Sequence, residues 1–459
     1  MAISNKNQQP EEAGVIYAPW EKTFSRVLSP IEEFIHHQTA SSILLILATA
    51  LALFLANSSA FGEWYQHLLH VPLSFTLSDL SISMSLHHWV NDALMAIFFF
   101  VVGMELKREI MVGELSDIRQ ASLPIIAAIG GMVVPALIYA TFNPNGDANQ
   151  GWGVPMATDI AFAVGALVLL AKRVPKSLVA FLIALAIADD LGAVLVIALF
   201  YTEQIAMNWL IISALLVTLL LLLNFSGVRK TIPYLIVAMI LWYAMLQSGV
   251  HATLAGVLGA FTVPTRSKYD PALFLTRIKD QITNFASHQK AGTNLMTNDK
   301  LHSVIENIED SVMGVQSPLQ RLEEAWHIPV AFLIIPIFAF FNAGITVQLD
   351  SLGETFSHPV MLGVMLGLVI GKFVGITGAC WLALKLKIGR LPTGARFSQI
   401  AAVSVLAGIG FTMSIFIAEL AFKGHADYLL MAKTGVIFGS LIAAALGFCW
   451  LWVLGQSKT

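Results

Sequence analysis

Twelve stretches of this chain are apolar over lengths close to those a lipid bilayer demands. That series constrains the fold more than any motif. A spanning helix needs about 20 mainly apolar residues. The candidates lie near 40–58, 86–104, 121–142, 153–171, 177–200, 207–225, 232–249, 250–264, 328–346, 360–384, 398–421 and 428–454. Charged residues make up only 12% of the chain, against about 25% in ordinary globular proteins. A water-facing surface cannot be built from so few charges, so most of the exterior must meet lipid. This excludes a soluble enzyme, a disordered chain and a nucleic-acid binder. The formal net charge of −3 argues for no charged partner. Cys380 and Cys449 both sit in apolar runs. They offer no disulfide framework or zinc spacing and are expected to be buried free thiols. No cofactor motif is present. The first 36 residues are polar and hold Glu11, Glu12 and Glu21, unlike a cleaved signal peptide. We expect a cytoplasmic tail over 1–36 and one transmembrane domain over 37–459.

Lys and Arg fall in every second link. They occur in the N-terminal tail (Lys6, Lys22, Arg26), at Lys107, Arg108 and Arg119, at Lys172, Arg173 and Lys176, and at Arg229 and Lys230. They recur through 264–327 and at Lys385, Lys387, Arg390 and Arg396, with Lys423 the exception. The alternation fits the positive-inside rule with both termini cytoplasmic and an even number of spans. The fold class predicted is an all-α polytopic membrane protein with twelve transmembrane helices.

Two links stand apart. Residues 73–84 alternate apolar and polar and predict a periplasmic β-hairpin over 71–85, turning near Ser78-Asp79. Its edge could pair with a second copy, or the hairpin could be a structured loop without a partner. The other is the long cytoplasmic loop 265–327. Leu301, Val304, Ile305, Ile308 and Val312 recur there at helical spacing, predicting an amphipathic helix that covers, regulates or tethers.

Ionisable groups at span centres cost roughly 2.5–3.5 kcal/mol each and mark function by default. Asp159 lies in the fourth span beside Thr158, Asp189 and Asp190 lie mid-way along the fifth, and Lys372 lies mid-way along the tenth. Asp92 sits early in the second, as a polar anchor or a transport group, and His251 opens the eighth. Adjacent helical residues point about 100° apart, so the two aspartates cannot share one partner equally. One can take a transported ion while the other pairs with Lys372. The alternative is a set of structural salt bridges. Burial disfavours the charged form of acids and amines alike, which brings proton exchange near neutral pH. An ionised carboxylate is also a hard oxygen ligand for sodium or lithium. Either occupant, never both, is the minimum requirement of an exchanger.

Backbone breaks accompany these charges. Pro155 precedes Asp159 by four residues, and Gly408 and Gly410 interrupt the eleventh span. Non-helical backbone at membrane depth is tolerated where it lines a cavity.

Seven segments now combine: Asn91-Asp-Ala-Leu-Met-Ala, Gly103-Met-Glu-Leu-Lys-Arg-Glu109, Pro155-Met-Ala-Thr-Asp-Ile-Ala-Phe-Ala, Ala188-Asp-Asp-Leu-Gly-Ala, Ser248-Gly-Val-His-Ala-Thr-Leu-Ala-Gly, Ile370-Gly-Lys and Gly408-Ile-Gly-Phe-Thr-Met-Ser. Their content and order resemble the NhaA family of bacterial sodium/proton antiporters, from about residue 37 onward. The resemblance implies an inverted repeat of the third to fifth and tenth to twelfth spans, with the discontinuous fourth and eleventh crossing near mid-membrane. Paired interrupted spans mark the binding site of inverted-repeat transporters, a generalisation of which NhaA is itself an example. It further implies Asp190 as the main ion ligand, with sodium as cargo on Asp190 and Asp189. Asp189 would alternate between a proton and Lys372, and Asp159 and Thr158 would compensate the helix ends. Electrogenic, alkali-activated exchange in the inner membrane follows, with pH sensing at Glu105, Arg108, Glu109, His251, Glu323 and His327. Dimers would form through the 73–84 hairpin. From the residues alone, Glu105, Lys107, Arg108 and Glu109 could equally be a solvated helix end, and His251 a hydrogen-bonded core histidine.

Two other readings use the same charges. A sodium-coupled solute symporter would need a roomier cavity, and no arginine at span depth is there to hold an anion. An intramembrane aspartyl protease carries Tyr-Asp and Gly-x-Gly-Asp on separate spans, whereas these aspartates are neighbours on one.

Overall fold

The computed structural model describes residues 38–77, 80–113, 115–170, 173–202, 205–288, 298–346 and 352–455. The expected tail over 1–36 and the turn at Ser78-Asp79 lie outside them. The described chain is mostly helical. It opens with α1 (Gln38–Asn57) and α2 (Gly62–His70), followed by strands β1 (Pro72–Leu77) and β2 (Leu80–Ser85). Next come α3 (Leu86–Val112), α4 (Ile118–Phe142), a 3-10 segment (Asp147–Met156) and α5 (Ile160–Leu169). Then follow α6 (Lys176–Phe200), α7 (Met207–Phe225), α8 (Ile232–Ser248), α9 (Leu254–Thr262), α10 (Pro271–His288) and α11 (Asp299–Val315). The series closes with α12 (Pro318–Asn342), α13 (Leu352–Ser357), α14 (Pro359–Lys385), α15 (Phe397–Leu406), α16 (Phe411–Ala421) and α17 (Ala426–Leu454).

Among the described residues nine helices are long and apolar enough to cross a membrane, or ten when α15 and α16, bent by 49°, count as one. Their outward faces are apolar: on α7 only Ser213 and Leu220 are buried, and Phe225 is 86% exposed. Such a surface is stable only against lipid. Cys380 is buried as expected, but Cys449 is exposed, because its face of α17 turns outward.

Three boundaries differ from the hydropathy reading. The segment near 250–264 holds only the nine-residue α9, because Gly249 ends α8 in the left-handed region at φ +80°. Helix α3 continues to Val112, so Glu105, Arg108 and Glu109 ride on the spanning helix. Helix α12 starts at Pro318, ten residues earlier than hydropathy alone places it. Ser317 and Gln320 form a capping box there and Pro318 takes the first turn, a start signal legible in the sequence. Glu323 and His327 therefore also lie on a spanning helix.

The hairpin is antiparallel, from Pro72↔Ser85 to Leu77↔Leu80. Trp89 of α3 holds it, donating from Nε1 to Leu73 O at 3.0 Å and meeting Phe75 edge-on. In the long segment 265–327, α11 buries Leu301 and Val304, while Val312 is exposed. Helix α10, not foreseen from the sequence, packs alongside it. The most enclosed elements are α15 and α16. Ile400, Val403, Leu406, Ile409, Phe411 and Phe416 are all buried in the main core, so the break between these helices is sealed from lipid.

Candidate functional site

The chain loses helical form twice at buried depth, and the two breaks meet. Ala157, Thr158 and Asp159 are extended between the 3-10 segment and α5. Residues 407–410 separate α15 from α16. The Asp159 N–H donates to Ile409 O at 2.7 Å, and the Thr158 hydroxyl donates to Ala407 O at 2.8 Å. Carbonyls that α15 leaves open at its carboxyl end are thus satisfied from the other break.

Asp159 is shared between two helix starts. Its Oδ1 accepts the Phe162 N–H at 3.1 Å and caps α5. Its Oδ2 accepts the Thr412 N–H at 3.0 Å, and also the Thr412 hydroxyl, at the start of α16. A helix N-terminus carries about half a positive charge, so one carboxylate here answers two such ends. Ser440 of α17 adds a second cap, its hydroxyl accepting the Gly410 and Phe411 N–H groups at 3.2 Å each. No sequence signal separates this serine from others in apolar runs.

Helix α6 carries Asp189 and Asp190, both 1% exposed, and Asp189 lies beside Thr158 of the first break. Lys372, also 1% exposed, forms an ion pair with Asp189 Oδ2. Asp189 Oδ1 and both oxygens of Asp190 have no hydrogen-bond partner among the described residues, and no hydrogen bond joins the two aspartates. Buried carboxylate oxygens are ordinarily satisfied. Three that are not, beside a hydroxyl, form a donor set for a small hard cation.

Lys372 reaches this depth because α4 and α14 pack closely. A Cβ on Gly130 would lie 2.3 Å from Gly375 O, and Gly131 faces the Lys372 side chain. A π-turn over Gly367–Gly371 immediately precedes Lys372. Such turns often occur at functional sites. Pro155 packs against Gly367, linking the first break to that turn.

The sequence-derived pH group divides. Arg108 lies 3.4 Å from Glu109 and 3.3 Å from Glu323 across α12. Glu105, one turn earlier on α3, faces the same three groups and is in electrostatic range of Asp190. His327 is exposed. His251 stands apart, with Nε2 2.6 Å from Tyr201 O beyond the carboxyl end of α6. Lys107 donates to the Phe261 and Val263 carbonyls, at the far end of α9 from His251. At the amino end of α6 a cavity of about 480 Å³ is lined by Asp117, Ser177, Phe181, Ala184, Arg390 and Thr393.

A family model described as Na+/H+ antiporter 1 matches residues 32–451. The chain belongs to that family. The Na(+)/H(+) antiporter NhaA 1 of Saccharophagus degradans is 51% identical over 440 residues, covering 96% of this chain and 95% of that protein. NhaA of Acidithiobacillus ferrooxidans is 50% identical over 439 residues (94% and 99%), and NhaA of Sulfurimonas denitrificans 47% over 442 (96% and 99%). This member of the Na+/H+ antiporter 1 family is a multi-pass membrane protein.

Proposed function

We propose that this chain exchanges cytoplasmic sodium or lithium for external protons, electrogenically and under pH control, by alternating access. The observation that carries the reading is the set of three unpartnered, buried carboxylate oxygens on Asp189 and Asp190 beside the Lys372 ion pair. The names of the relatives support the substrates. Asp190 is the main ligand of the transported cation. Asp189 alternates between the cation or a proton and Lys372. Asp159 and Thr158 hold the crossing together. Since the same oxygens serve protons and cation, the two occupants exclude each other.

The architecture proposed is twelve spans, counting α8 and α9 with the ten above, with inverted repeats built on the two broken helices. Both termini are cytoplasmic, in the bacterial inner membrane, with 1–36 a tail and 37–459 the transport domain. The hairpin is periplasmic and pairs with a second copy. Arg108, Glu109, Glu323 and Glu105 carry the pH response, and the long segment 265–327 lies in the cytoplasm.

The test is reconstitution in vesicles with an imposed pH gradient. Sodium or lithium should dissipate the gradient, choline should not, and Asp190→Asn should abolish the response. Equal responses to choline and sodium, or a fully active Asp190→Asn, would overturn the reading.

A further inference from the structure

At the hairpin end of the bundle a second buried polar cluster ties four helices together. His87 and Asn91 come from the start of α3, Asn342 ends α12, Glu419 lies on α16 and Lys433 on α17. Asn342 Nδ2 donates to Asn91 Oδ1 at 2.8 Å and to Phe338 O at 3.0 Å, which turns Asn342 Oδ1 toward His87 Nε2 at 3.0 Å. That ring nitrogen also lies 3.4 Å from Asn91 Nδ2. The same nitrogen lies 3.5 Å from Glu419 Oε1, and Lys433 forms an ion pair with that oxygen. Glu419 and Lys433 are each only 12% exposed. His70, His88, Asp92 and Lys423 lie within electrostatic range of this group of residues.

Neither Glu419 nor Lys433 touches the Asp189–Asp190 site, yet both sit on the helices that build the crossing. Thr412, bound to Asp159, precedes Glu419 by seven residues on α16, about 10 Å along a helix. Helix α17 contacts α16 at both ends, through Ser440 at the break and through Lys433 at Glu419. The pair and the His87 contact join α16 and α17 to α3 and α12. Separating those helices at this end breaks the contact.

We propose that Glu419, held by Lys433 and facing His87, is a latch on the outer side of the transport path. It is a positioning residue that favours the conformation closed on that side. The inference rests on the antiport reading and its orientation. A contact made in only one of two conformations sets their ratio. The apparent affinity seen from each side scales with the fraction competent to bind there.

The test measures the sodium KM on each face, in right-side-out and inside-out vesicles. The variants are Glu419→Asp, Glu419→Gln, and Glu419→Gln with Lys433→Met, which leaves no lone buried charge. The last two should lower the external KM and raise the cytoplasmic KM, the two fold-changes multiplying to about fivefold, the low end of ordinary coupling between sites. Glu419→Asp should lie closer to wild type. Unchanged KM values on both faces, or shifts of the same sign, would overturn the latch. So would a fall in thermal stability without opposite shifts, since the pair would then be structural only. Absence of sodium exchange in the wild type would instead remove the antiport reading, so the two failures are distinct.

Discussion

Gly130 and Gly375 meet backbone to backbone: a Cβ on either would come within 2.3 Å of the other's carbonyl oxygen. Backbone cannot give way as a flexible side chain can. Gly130→Ala should therefore push α4 from α14 and draw Lys372 away from Asp189. We expect a loss of about 1–3 kcal/mol, the usual cost of overpacking, together with impaired exchange. Thermal unfolding in detergent and vesicle transport check both parts. Wild-type stability and rate in this variant would mean that the close approach does not position Lys372.

Asp159 caps two helices, so its removal should cost more than an ordinary cap. Asp159→Ala should destabilise by about 2 kcal/mol, taking ~1 kcal/mol per cap. Asp159→Asn keeps one acceptor but turns an amide toward N–H donors, and should be intermediate. Ser440→Ala leaves the Gly410 and Phe411 N–H groups without the Ser440 acceptor and should cost about 1–3 kcal/mol. Denaturation midpoints of the three variants give the order.

Much of this arrangement was legible in the sequence. Long apolar runs located the spans, and Pro155, Gly408 and Gly410 flagged the breaks, because backbone weakeners at membrane depth need a reason. Lys372, the one lysine deep in a span, left Asp189 or Asp190 as its natural partner. What the sequence withheld was three-dimensional. Ser440 looks like any serine in an apolar run. Hydropathy ends where charge begins, so α3 ran past its expected limit and carried Glu109 with it, whereas the early start of α12 is marked by the capping box at Ser317 and Gln320. Linear order also cannot say that His251 meets the Tyr201 carbonyl beyond the carboxyl end of α6. The Glu419–Lys433 pair escaped notice because Glu419 stands within two residues of the expected span end, where a charge ordinarily meets water.

If protons and sodium share the carboxylates of α6, acid should compete with sodium. Ligation requires the deprotonated form, so the cytoplasmic sodium KM should rise as pH falls, by up to about tenfold per pH unit for each proton displaced. The maximal rate at saturating sodium should change far less. A pH-independent KM would exclude a shared site.

Arg108 supplies a counter-charge to Glu109 and Glu323. Without it their ionised forms lose support, so Arg108→Ala should move the pH midpoint of activity toward alkaline values. Its exposed position limits the effect to a modest shift, with the maximal rate retained. Glu323→Gln should also move the midpoint, whereas His251→Ala should leave it in place. Full pH profiles of the three variants separate these outcomes.

The double cap at Asp159 bears on how much current the exchanger can pass. A proton arriving there would unfasten α5 and α16 together, so this carboxyl is ill suited to shuttle charge. Under the proposed mechanism, the valence of each turnover then falls to two acids on α6 and one amine on α14. Variants with altered coulombs per sodium ion should be sought at those three positions rather than where the broken helices touch.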